Sequence, residues 1–372
     1  MNKILNHQLI RLTSAYLKEL IREPSVLFWG ILFPILLAWG LGIAFTNKGD
    51  LIRTVAVVRN NNLNNYTGNS ALYEFLGKNA AKKQGYYSIT ISNKKLGRIT
   101  LNFKECEWAE AYTLLKKGTV TVIVEDNGKD VSYHFDPANP EAQMLFQQIS
   151  GMMTSGINFF SLHEDEIKPL TLSGTRYVDF LIPGLLSMGV MMTTMWGVSY
   201  TVIERRSKKL LRRMVATPMK KSYFLIGLFI ARFIMNFIEA ALLFLFAWLY
   251  FGIIIQGNIF ALLIIFIAGN IAFSGIAVLV ASRTSNPEVG NGLINAIVTP
   301  MMVISGVFVS YHNFPDWTIP VISKLPLSML VDSVRSIFNE GAGFAQVWFN
   351  TLVLMLTGII SFFVGLRIFR WY

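Results

Sequence analysis

The sequence predicts an α-helical polytopic membrane protein with six transmembrane helices and a small inserted α+β extracytoplasmic domain. Three observations predict it. Of 372 residues, 53% are hydrophobic and only 15% charged, against about 25% charged in soluble domains. Several uncharged runs reach the roughly 20 residues that a bilayer crossing needs. Lys and Arg gather at the ends of those runs, most densely at 204–222, where eight of them follow one acid, Glu204. Basic loops resist translocation, so 204–222 is expected in the cytoplasm and orients the chain. In a soluble protein a net charge of +11 would suggest nucleic acid. The basic loop has no interleaved aromatics, and no nucleic-acid partner is expected.

Residues 1–23 read as a cytoplasmic amphipathic helix. Ile4, Leu5, Leu9, Leu12, Tyr16, Leu17 and Leu20 recur at helical spacing, and Lys3, Arg11, Lys18 and Arg22 carry the charge. Such a helix suits the membrane interface; the alternative is one packed on protein. Residues 24–45 are the first span, uncharged throughout. Basic residues precede it, which puts the N-terminus inside. The run is too long for the apolar core of a signal peptide, so cleavage is not expected.

The stretch 46–175 changes character, with 14 of the 33 basic residues and 13 of the 22 acids. Residues 52–59 and 119–126 read as buried strands. Residues 131–136 follow the turn pair Asn127-Gly128, making 119–136 a hairpin. Helices are expected at 70–79, 105–117 and 137–160. With the N-terminus inside, this domain lies outside. Its lone Cys106 has no internal disulfide partner and no activating neighbour, so it reads as inert.

Apolar runs then resume within 176–372. Spans are expected at 179–203, within 223–255, and at 259–281, 289–310 and 344–366. The turn 256–258 carries no charge and falls outside by count. Residues 311–345 mix three prolines with five charges, which suits short re-entrant helices in the outer leaflet. Arg367 and Arg370 close the chain on the inside, with Trp371 and Tyr372 as interfacial anchors.

No phosphate-cradling G-x-x-x-x-G-K-[ST] loop occurs, no G-x-S-x-G or H-E-x-x-H, and the four histidines form no metal spacing. No enzyme site and no metal is expected. Within the spans the notable charges are Arg232 and Glu239, seven apart and so near one helix face. Intramembrane charges are costly and often functional. Two readings stand, a conduit or gating contact and a structural pair; Arg232 is also near enough to the inner surface to snorkel. Met188 and Met192 are further conduit candidates. Asp332 and Arg335 read as a local helix pair.

Three features carry a family resemblance. Residues 179–227 contain a Pro-Gly in an apolar helix, Glu204-Arg205 at its cytoplasmic end and Thr217-Pro218 before the next span. Residues 304–338 run from a Ser-Gly through short helices to a Pro-Leu and Arg335. The third feature is the order of elements along nearly the whole chain. Together they resemble the membrane subunit of ABC type-2 export permeases.

The resemblance implies an ATP-driven exporter that moves a lipophilic or amphipathic substrate out of the cytoplasm or inner leaflet of a bacterial plasma (inner) membrane. It implies a cytoplasmic ABC ATPase subunit holding ATP and Mg, with no cofactor in this chain. A second permease subunit, identical or related, completes a homodimer or heterodimer, and 46–175 is offered to a periplasmic or extracellular partner. Glu204, Arg205, Leu210, Leu211, Met214, Thr217 and Pro218 become the residues coupled to the ATPase, and Gly306, Pro326 and Arg335 the outer gate. Two other classes remain as alternatives: a membrane-anchored ligand-binding or sensory protein, and an ion-coupled transporter using Glu239.

Overall fold

The computed structural model describes residues 2–46, 51–59, 70–83, 85–93, 97–128, 130–155, 174, 176–216 and 221–371. The chain divides into two compact units, one of Met1–Thr46 with Thr171–Tyr372 and one of Asn47–Leu170. In order the elements are α1 (Asn2–Arg22), α2 (Pro24–Phe45), β1 (Leu51–Arg59), α3 (Ala71–Asn79), β2 (Ala81–Lys83), β3 (Tyr86–Asn93), β4 (Gly97–Glu105), α4 (Trp108–Lys116), β5 (Ile123–Asp126), β6 (Val131–His134) and α5 (Pro140–Ser155). They continue with α6 (Tyr177–Ser207), α7 (Leu210–Val215), α8 (Lys221–Phe251), α9 (Ile259–Ala281), α10 (Pro287–Ile304), α11 (Ile319–Ile322), α12 (Pro326–Asn339) and α13 (Phe344–Arg367).

Among the described residues five helices are long and apolar enough to cross a membrane: α2, α6, α8, α9 and the last, α13. The expected crossing at 289–310 is helical only through α10. At 18 residues it rises about 27 Å at 1.5 Å per residue. Asn291 and Asn295 interrupt its apolar run, and the chain turns at Gly306, whose φ is +78°. Short helices α11 and α12 fill the 311–345 stretch, with Pro326 at the start of α12.

Among the described residues the helical unit holds one large core, drawn from α6 to α10, α12 and α13 with Tyr16 and Ala38. The stripe on α1 is spent on protein: Tyr16 is buried and Leu12, Leu17 and Leu20 pack against this core. Ile10 and Ile21 lie on the exposed side. The stripe is buried against α8, where Tyr16 meets Phe224 edge to face at 6.2 Å. Helices α9 and α13 approach at backbone contact. A Cβ on Gly275 would overlap the Gly358 carbonyl, and one on Gly358 the Ile271 carbonyl.

The second unit is a six-stranded sheet in the order β2-β3-β4-β1-β5-β6. Strand β1 runs parallel to β4 and β5, and the remaining pairs are antiparallel. Val55 and Val57 face α3 and α5, while Ala56 and Val58 face the α4 side. A strand covered on both faces is apolar without alternation, which is why 52–59 reads as Val-rich. The hairpin turn at Asn127-Gly128 is present, but its first strand begins only at Ile123, after a bend that still buries Val120 and Val122. Strands β2 to β4 were not expected. The expected helix at 137–160 is formed as Pro140–Ser155, and 156–160 lie outside the described residues.

Cys106 lies just after β4, partly buried. Burial pushes its thiol above the ordinary range, with Glu110 adding to it. Less thiolate forms at a given pH, and the thiolate is the nucleophile. Iodoacetamide at pH 8 should therefore alkylate the folded chain more slowly than the urea-unfolded chain. Equal rates would contradict the burial of this thiol.

Candidate coupling and polar-layer site

The basic segment begins where α6 runs out of apolar sequence. Lys209 turns the chain in the left-handed region, at φ 58°, and α7 follows. Leu211 is fully buried and anchors α7 on the helical unit. Met214 packs partly against the same core, while Leu210 stays exposed. Glu204 accepts from Lys208 Nζ at 2.8 Å. Arg205 donates to Glu19 of α1 at 2.7 Å and lies 4.6 Å over the Tyr16 ring. The structure thus brings Glu204, Arg205, Leu210, Leu211 and Met214 to one end of the bundle. Thr217 and Pro218 lie outside the described residues.

Sequence reasoning missed Arg206. It is buried and donates to the carbonyls of Ala281, Ser282, Thr284 and Arg370. The signal was present: Val198, Val202 and Arg206 are successive i, i+4 positions of α6, and both valines are fully buried. A charge on a buried helix face demands partners.

Inside the unit a polar layer crosses α6, α8 and α9. Arg232 and Glu239 are both buried and 3.8 Å apart. Between them Asn236 accepts from Thr193 at 2.8 Å and donates to Thr194 at 2.8 Å and to Asn270 at 2.6 Å. The pair is seated on glycines. Cβ atoms at Gly30 and Gly197 would overlap the Glu239 carboxylate and the Arg232 guanidinium. Gly197 lies in a π-helical turn, Met195–Tyr200, a device frequent at functional positions. Arg232 Nε and Nη1 and Glu239 Oε1 have no hydrogen-bond partner. A cavity of about 10 Å³ beside Glu239 is walled by Gly30, Pro34, Gly189 and Asn236, room for about one water. Met188 and Met192 are not in its walls; Met188 is buried in the core and Met192 packs partly against it.

At the opposite end, Arg335 lies 3.6 Å over the Phe180 ring and donates to the carbonyls of Phe180 and Gly306. Its expected pair with Asp332 is loose, at 3.8 Å. Tyr311 donates its hydroxyl proton to Asp332 at 2.7 Å. Burial and that carboxylate push Tyr311 up to about 12, so the proton stays on the phenol. A Cβ on Gly306 would press on the Tyr311 ring. The residues Tyr311, His312, Asp332, Arg335, Glu340 and Asn350 border an open cavity of about 460 Å³. Among the described residues no His, Cys, Asp and Glu cluster is suited to a metal.

Residues 24–367 match a family described as ABC-2 family transporter protein. The chain belongs to this family. As an ABC-2 family member it is a membrane component of a transporter. It is similar to ABC transporter G family member 20 of Dictyostelium discoideum, 24% identical over 51% of this chain and 26% of that protein. It is also similar to the Linearmycin resistance permease protein LnrN of Bacillus subtilis, 22% identical over 48% of this chain and 46% of that one. The ABC-2 chain thus spans less than half the length of these relatives.

Proposed function

We propose that this ABC-2 chain is the membrane subunit of an ATP-driven exporter for a lipophilic or amphipathic substrate. Energy enters through a separate cytoplasmic ABC ATPase that carries ATP and Mg. Two permease subunits pair, α10 serves as the sixth crossing, and both termini face the cytoplasm of a bacterial plasma membrane. The unit 47–170 lies outside, available to a periplasmic or extracellular partner. The observation that carries the reading is α7. It is a short basic helix anchored by Leu211 on the bundle, in a transporter sequence whose 372 residues contain no phosphate-cradling loop. Positive charge keeps it inside, and its buried leucine makes it stiff against the helices it would move.

Two variants test it without removing a Lys or Arg that helps set topology: Leu211→Asp and Pro218→Ala. In membranes with the co-purified ATPase, Leu211→Asp should lower permease-stimulated hydrolysis and transport by about tenfold or more, since a charge forced into an apolar site costs several kcal/mol. Pro218→Ala should lower coupling more mildly. A wild-type chain that purifies without any nucleotide-binding partner defeats the exporter reading.

A further inference from the structure

Of the basic side chains described between 205 and 213, Arg206 alone is buried. Its Nε donates to the Arg370 carbonyl at 2.8 Å, Nη1 to Ala281 at 2.6 Å and to Thr284, and Nη2 to Ser282 at 3.2 Å. Ala281 and Ser282 end α9, where unpaired carbonyls and the negative pole of the helix dipole favour a cation. Arg370 lies in the tail after α13, and its own N–H donates to Ser282 at 2.9 Å. The Phe369 ring covers the guanidinium at 4.8 Å. One side chain therefore ties the last turn of α6 to α9 and to the tail of α13. Those two helices are themselves joined at backbone contact, at Gly275 against Gly358 and at Gly365 against Leu279.

Five planar donors can satisfy four carbonyls at once, which the single nitrogen of a lysine cannot. Arg205, its neighbour, points the other way, to Glu19 and Tyr16 of α1. The two arginines divide the segment's contacts between the two sides of the bundle. From this geometry we infer that Arg206 is the positioning residue that carries movement of the 204–216 segment into the α9–α13 pair. This rests on the exporter reading: the segment must first be moved by an ATPase. The chain runs on from α7 through 217–220 into α8, so α8 has a covalent route that does not need Arg206.

The test uses the full chain with its co-purified ATPase and needs no transported substrate. In a Cys106→Ala background, single thiol reporters are placed at exposed Phe363 of α13 (Phe363→Cys) and exposed Ile230 of α8 (Ile230→Cys). Each is labelled with an environment-sensitive fluorophore and read on adding ATP, Mg and vanadate. Arg206→Gln should cut the α13 response about fivefold or more, the lower range of a measurable coupling, and leave the α8 response and ATP hydrolysis within about twofold. Arg206→Lys, which keeps the charge on its side of the membrane, should show the same selective loss in milder form; it decides the matter if Arg206→Gln does not accumulate. Equal loss at both reporters would make Arg206 merely structural and overturn the inference, as would an unchanged α13 response. A wild-type complex silent at both reporters overturns the exporter reading itself, and the inference with it.

Discussion

Gly275→Ala is expected to destabilise the helical unit by about 3 kcal/mol or more, above the usual range for overpacking. The reason is what the new methyl group would meet. It would overlap the Gly358 carbonyl oxygen and carbon, which are backbone atoms of α13. A side chain can rotate away, but two helix backbones can only separate. Separation would also open the Gly365 contact with Leu279 and lose dispersion along the seam. Gly40→Ala supplies the control: it is also helical, with nothing within 4 Å of the added atom. There the gain in helix propensity, up to about 1 kcal/mol, should leave stability equal or better. Thermal midpoints in detergent compare the two. A Gly275→Ala midpoint matching the Gly40→Ala midpoint would refute backbone contact between α9 and α13.

Glu239→Gln is expected to cost about 3–5 kcal/mol, because it leaves the Arg232 guanidinium buried without a counter-charge. Arg232 is 3% exposed, and two of its nitrogens have no hydrogen-bond partner even with the carboxylate present. Removing the charge as well should recover most of the loss. The double variant Arg232→Met, Glu239→Gln is expected within about 1 kcal/mol of wild type, since apolar replacements of a buried pair are often neutral. Thermal midpoints of the single and double variants check this; a double variant as unstable as Glu239→Gln would contradict it. Transport by the stable double variant then separates the two readings of the pair. Retained transport marks it as structural, and lost transport in a stable protein marks it as part of the path or gate.

Much of the architecture was legible because hydropathy is local. The runs of α2, α8, α9 and α13 appear as long, predominantly apolar sequence, and no partner is needed to see them. The hairpin at Asn127-Gly128 was legible for the same reason, as turn chemistry resides in the turn. Strands β2 to β4 were not: β2 has three residues, and the Ser and Thr in β3 and Asn and Lys in β4 dilute their apolar positions. Of these only β4 pairs with β1, β3 and β2 follow outward from it, and the sheet is covered by α3 and α5, which lie elsewhere in the chain. At the site, seven-residue spacing put Arg232 and Glu239 on one face of α8. Their glycine seats on other helices, Gly30 and Gly197, are 209 and 35 positions away from Glu239 and Arg232 in sequence and left no local mark.

The class of molecule, the placement of its apolar helices, the change of character at 46–175 and the concentration of positive charge at 204–222 are all written in the linear chain. Each of these is a sum over neighbouring residues, so it survives without coordinates. Which charge in that segment faces inward depends on how the helices pack. Arg205 and Arg206 are identical in kind and adjacent in sequence, yet one meets α1 and the other the ends of α9 and α13. Helical rotation of about 100° per residue sends them to different faces. What waits at each face is set by packing between segments up to 186 positions apart.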